Sequence, residues 1–229
     1  MKDDLGQRMK SQYEVRARTY LPRRTYTIMR LDGKAFHSFT KGFDRPYSST
    51  LIGAMDETAI ALCKNIQGCQ FAYVQSDEIS LLLTDFSTID TDAWYDGQVQ
   101  KMTSVSASIA TAHFNRQIGT ERLAYFDSRV YTIADPTEVE NYFVWRQKDA
   151  IRNAIQMHAQ SLYSHKELEY KNQMMQLEMI ADKGTSHDVL PKGFRLGRFI
   201  SKTDNEWKIY NFNFLESRKV LSAKIPKID

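Results

Sequence analysis

The chain has 229 residues, 42% hydrophobic and 26% charged, enough apolar mass for a substantial core and too ordinary a balance for a disordered or fibrous chain. Its net charge of +3 is too small to establish nucleic-acid binding by itself. No apolar run approaches the roughly 20 residues of a membrane helix, MKDDLGQRMK carries no signal-peptide core, and Cys63 and Cys69 are too few for a disulfide framework or zinc site, so a cytoplasmic protein with no membrane partner is expected.

Residues 3–18 read as a charged helix, and TYTIMRLDG as a buried strand punctuated by Gly33. A loop with Gly42 and Pro46 leads to a helix capped by Ser48 or Ser49 and running to about Asn65. FAYVQ and ISLLLT flank the polar SDE, which reads as a hairpin. A helix over Trp94–Arg116 and the strand YFDSRVYTI follow. Asp135-Pro136-Thr137-Glu138 is a helix start, with a capping Asp, Pro at the first helical position and Glu three after the cap. Ser164-His165-Lys166-Glu167 reads as a second capping box opening a Met-rich helix, and GFRLGRFISK with EWKIYNFNF as a closing hairpin. Helices mixed with hairpins imply an α+β fold, helices packed on an antiparallel sheet. Without a linker or internal repeat, residues 1–229 form one domain.

Asp32 ends a buried strand and is followed at once by Gly33; Asp77 and Glu78 sit at a hairpin turn. If the strands are neighbours, Asp32 and Asp77 converge, and converging carboxylates repel unless a proton or cation lies between them. Mg²⁺ favours such oxygen ligands together with phosphate oxygens. Asp-Gly after a strand and Ser-Asp-Glu at a hairpin tip are also plain turn chemistry, so both readings stand at this level. Gly33 allows close backbone approach, and the amides of Lys34, Ala35, Phe36 and His37 could face a triphosphate. Lys101, on a helix dense in small residues, could reach a phosphate. Arg129 pairs with Asp127 or meets a phosphate. The basic groups Arg16, Arg18, Arg23, Arg24 and Lys192, Arg195, Arg198, Lys202 read as solvated surface, or as phosphate contacts if the substrate is RNA. There is no Walker-type loop, zinc-protease spacing or GxSxG element.

RLDGKAFHSFTKGFDRPY, QSDEISLLL, KMTSVSASIATAHF, YFDSRVYTI and NYFVWRQKDA, in this order from Arg30 to Asp149, together resemble the tRNA-His guanylyltransferase family. The resemblance implies a polymerase-palm-like core over about residues 20–135, with a C-terminal helical and hairpin region over about 136–229. It implies growth in the 3′-to-5′ sense at the 5′ end of tRNA. Asp32, Asp77 and Glu78 would be the catalytic acids. Asp32, the Gly33 carbonyl and Asp77 would bind two Mg²⁺ ions. Arg30, Asp32 to His37, Ser76, Asp77 and Lys101 would bind nucleotide. ATP or GTP would activate the 5′ phosphate, and nucleoside triphosphates would be the substrates. A homotetramer is also implied, with the Met-rich helix Leu168–Lys183 as an interface or as monomer core.

Two segments depart from the eukaryotic pattern. AIRNAIQ, Ala150–Gln156, replaces HINNLYN, and Arg45-Pro46-Tyr47-Ser48 replaces a KPND-like stretch. The chain is therefore most similar to the bacterial and archaeal guanylyltransferase-like proteins, and templated repair of truncated tRNA is the expected activity. Addition of a single G and a non-catalytic RNA-binding role are the alternatives.

Overall fold

The computed structural model describes residues 4–227. In chain order the elements are α1 (Leu5–Met9), β1 (Tyr26–Gly33), α2 (Phe36–Phe39), α3 (Ser49–Asn65), β2 (Cys69–Gln75), β3 (Glu78–Leu83), α4 (Val99–Ile118) and β4 (Phe126–Ile133). Then come α5 (Pro136–Leu162), α6 (His165–Leu168), α7 (Gln173–Asp182), α8 (Lys192–Leu196), β5 (Arg198–Thr203), β6 (Glu206–Tyr210) and α9 (Arg218–Ser222). The strands form one six-stranded sheet in the order β4-β1-β3-β2-β5-β6, with every neighbouring pair antiparallel. The C-terminal hairpin thus extends the same sheet as the central one.

Successive strand residues face opposite sides of a sheet. On β1, Met29 and Leu31 enter the core formed with Met55, Leu62, Ala110 and Phe114 of α3 and α4. Tyr26 and Ile28 enter the opposite core, formed with Val139 and Phe143 of α5 and with Phe214 and Leu221. Arg30 and Asp32 continue the Tyr26–Ile28 alternation, so they belong to the α5 side.

Local capping sets most helix starts. The Ser48 hydroxyl accepts from the Leu51 amide, and Asp135 accepts from the Thr137 and Glu138 amides, with Pro136 in the first turn. Three sequence expectations are corrected. The helix expected from Trp94 starts at Val99, because Tyr95 and Asp96 adopt left-handed backbone (φ 50° and 54°) that an α-helix cannot contain. The Ser164–Glu167 capping box is present, yet it opens only the one-turn α6; Tyr170 is left-handed (φ 59°), and the Met-rich α7 starts afresh under an Asn172 cap. GFRL is the end of α8 rather than strand; Gly197 (φ 73°) turns the chain into β5, and a Cβ there would lie 2.3 Å from the Tyr73 hydroxyl oxygen. Met1–Asp3, at the start of the expected N-terminal helix, lie outside the described residues.

Candidate active site

The hairpin between β2 and β3 turns on Ser76 and Asp77, with Ser76 left-handed (φ 48°). The turn reaches the end of β1, where the Gly33 amide donates to the Asp77 carbonyl at 3.1 Å. Asp32 lies in register with Glu78 on one side and Asp127 on the other. Four carboxylates therefore gather at one end of the sheet. Burial pushes the Asp77 carboxyl up to about 6; a hydrogen bond from Ser76 works against the rise, and the Asp32 and Glu78 charges add to it.

Gly33 is a steric requirement. A Cβ there would lie 2.2 Å from the Phe36 ring, which is fixed among Phe39, Phe114 and Phe126 at centroid separations of 5.2, 5.4 and 5.2 Å. Ala35, left-handed at φ 55°, then turns the chain into α2. Of the amides expected to face a triphosphate, Lys34 donates to the Tyr125 carbonyl at 2.8 Å. Those of Ala35, Phe36 and His37 have no backbone acceptor among the described residues.

Glu78, expected among the catalytic acids, lies in a buried ion pair. Arg146 of α5 grips both its oxygens, Nε to Oε1 at 2.7 Å and Nη2 to Oε2 at 2.6 Å, with the two side chains only 6% and 9% exposed. Arg146 also bonds Asp149 at 2.9 Å, and Asp149 in turn accepts from Arg152. This chain of charges holds the residue next to Asp77 against α5. Arg30 carries a buried Nε with no partner among the described residues, on the same side of the sheet as Asp32. Lys101 is not brought to this site: its ammonium lies 5.5 Å from the Tyr95 ring centroid. The adjacent Met102 lines a small cavity with Thr27 and Leu83, at the end of β1 opposite Asp32.

Beside Ser76 and Asp77 opens a cavity of about 450 Å³. Phe36, Tyr47, Met157 and Phe194 give it apolar walls, and Ala150, Asn153 and Ala154 of the AIRNAIQ stretch form part of the α5 side. Two buried polar groups line it: the Gln75 Oε1 and one Nη of Arg198 lack partners among the described residues. Arg198 corrects the expectation of a surface cation. It is 4% exposed and ion-paired to Asp56, whose carboxyl is raised by burial and partly brought back by Arg198. Arg23 is likewise tied up, bridging Asp85, Asp92 and Asp96 at 2.8, 3.2 and 2.9 Å. The expected Arg129–Asp127 pair is present at 3.0 Å. Sequence reading gave no role to Gln75, Arg146 or Asp149. Only Arg146 had a signal: with Tyr142, Phe143 and Ala150 it occupies helical spacing on a buried stripe.

No His, Cys, Asp or Glu trio that could close a metal cage occurs among the described residues. Two carboxylates and a backbone carbonyl are instead an open donor set. That set fits a hard divalent ion that completes its shell with substrate phosphates and water.

Residues 6–134 match the model of the tRNAHis guanylyltransferase family. A bacterial tRNA(His) guanylyltransferase-like protein in complex with ATP superposes with a TM-score of 0.91 at 36% identity, covering 96% of this chain and 99% of that one. A bacterial tRNA(His) guanylyltransferase-like protein in complex with GTP gives 0.84 at 36% identity, covering 97% of this chain and 99% of that one. The tRNA(His) guanylyltransferase of Debaryomyces hansenii is 30% identical over 55% of this chain and 49% of its own length, so the match spans about half of that relative. With the fold, the ordered elements from Arg30 to Asp149 and these likenesses agreeing, the chain belongs to the tRNA(His) guanylyltransferase family of nucleotidyltransferases.

Proposed function

We propose that this protein is a template-dependent 3′-5′ nucleotidyltransferase that restores missing nucleotides at the 5′ end of tRNA. The observation that carries the reading is Asp77 lining a cavity that can hold a base, on a turn bonded to the end of β1 at Gly33 and near enough to Asp32 to feel its charge. In this reading Asp32, Asp77 and the Gly33 carbonyl hold two Mg²⁺ ions, which when bound polarise phosphate oxygens and lower the pKa of the attacking hydroxyl. The apolar walls of the cavity take the base of ATP or GTP, and Gln75 and Arg198 offer its polar edge a buried acceptor and donor. The free amides of Ala35, Phe36 and His37, with Arg30, orient the triphosphate. The bound 5′ monophosphate displaces pyrophosphate from ATP or GTP, and the 3′-hydroxyl of the incoming nucleotide then displaces the nucleoside monophosphate. Glu78 and Arg146 keep Asp77 in place.

Templated addition is preferred to fixed addition of one G because Ala150 stands where the eukaryotic stretch begins with His, leaving the cavity wall small at that point. The test is 5′ extension of a tRNA lacking its first nucleotide, with the opposing nucleotide varied. Incorporation should follow the opposing base. Addition of G whatever the opposing base would favour the guanylyltransferase reading, and RNA binding with no incorporation would favour a non-catalytic module.

A further inference from the structure

We propose that Trp145 is a stacking platform for the unpaired base at the RNA end, an inference that rests on the proposed action on RNA 5′ ends. Trp145 lies on α5, next in sequence to the arginine that holds Glu78, and is 52% exposed. An indole so exposed normally moves, but this one is held. The guanidinium carbon of Arg146 sits 4.4 Å from its ring centroid, and the Tyr142 ring meets it edge-on at 5.9 Å. Arg146 is itself anchored by Glu78 and Asp149, and Tyr142 by a 2.8 Å hydrogen bond with Ser80. The indole is thus a rigid, half-solvated aromatic plate, linked through Arg146 and Glu78 to the turn bearing Asp77.

Its surroundings choose the occupant. Lys148 and Arg152 follow at helical spacing, and both are exposed. On the α5 side of the sheet, in register with Arg30, Arg129 of β4 is exposed and oriented by Asp127, as Arg152 is by Asp149. An aromatic plate flanked by oriented cations is the arrangement that holds single-stranded nucleic acid, base on the ring and phosphates on the cations. An apolar protein partner would gain nothing from these charges. With the base stacked on Trp145, the end of the strand lies beside Asp77, where the next nucleotide is to be joined.

The experiment uses the full-length chain and two RNA hairpins, one whose 5′ strand is one nucleotide short, leaving a base unpaired, and one flush-ended. Their affinities are measured by fluorescence anisotropy, without nucleotide or metal, for wild type, Trp145→Phe and Trp145→Leu. Leu keeps the apolar bulk on Arg146 and removes the π-face. Trp145→Leu should weaken the unpaired-end hairpin about tenfold, leave the flush hairpin within twofold, and be largely rescued in Trp145→Phe. Equal weakening of both hairpins, equal affinities for Phe and Leu, or no change with either would overturn the proposal. Because binding is read without catalysis, absence of 5′ extension by the wild type would count against the proposed function and not against this site.

Discussion

Gly33 and Asp77 show how single residues build the site. The close approach of Phe36 leaves no room for a Cβ at Gly33, so Gly33→Ala must displace a ring wedged among three others. Overpacking of this kind costs about 1–3 kcal/mol, and urea denaturation should show that loss together with a marked fall in activity. Asp77 is raised from 3.8 to about 6, so the folded protein holds its proton over a range where the unfolded chain has released it. The contribution is therefore favourable at low pH and is lost as pH rises from about 4 to about 6. At neutral pH the ionised group costs at most about 3 kcal/mol, before solvent screening reduces it. Asp77→Asn should raise the melting temperature at pH 7 while abolishing activity, and Mg²⁺ should raise the melting temperature of wild type more than that of the variant. A lower melting temperature for Asp77→Asn in the absence of metal would show that the carboxylate is a stabilising turn residue instead.

Between elements, the decisive contact is Arg146 on α5 with Glu78 on β3. Removing one partner of a buried ion pair strands the other charge, at about 3–5 kcal/mol. Arg146→Leu should show that loss in chemical denaturation, and Arg146→Leu with Glu78→Gln should recover part of it. A second contact ties α5 to the segment after α7: the Nδ1 atoms of His158 and His187 lie 3.2 Å apart. Burial lowers both imidazoles, His187 to about 4, with His158 and Arg195 adding to the fall and Asp188 opposing it. A depressed histidine acts opposite to Asp77, since its contribution is full above about 6.5 and is lost as pH falls toward 4. His187→Gln should therefore leave a stability profile that declines from pH 4 to 6, and Asp77→Asn one that climbs, as melting curves across that range will show. These pairings also mark what the chain reveals about itself. The caps at Ser48 and Asp135 were legible because their partners lie within one helical turn. The Ser164 box was legible too, but not the break at Tyr170 that follows it. Glu78–Arg146 and Asp56–Arg198 join residues far apart in sequence, so charge pattern alone read Arg198 as surface and named no partner for Glu78.

Over the whole molecule, one antiparallel sheet carries helices on both faces, and the carboxylates gather at one of its ends. The α+β class was legible from the alternation of hairpins and helices. The junction of the 76–77 turn with β1 was not, because strand order is a long-range property. Apolar side chains remain exposed on α1 (Leu5, Met9) and around α7 (Tyr170, Met174, Met175). We propose that these faces meet in an oligomer, a tetramer as the family resemblance implies; light scattering should give the mass of an assembly, and Met174→Glu should shift it downward. No helix among the described residues is long and apolar enough to cross a membrane. We propose that Asp32 and Asp77 hold the metal that supports nucleotide addition at an RNA 5′ end. A Mg²⁺ titration of 5′ extension on tRNA lacking its first nucleotide, for wild type, Asp32→Asn and Asp77→Asn, with all four nucleoside triphosphates, tests this. The expected result is Mg²⁺-dependent extension by wild type and at least a thousandfold lower rate for each variant, about 4 kcal/mol of lost transition-state stabilisation. Extension at the wild-type rate by either variant, or by wild type without divalent metal, would contradict it.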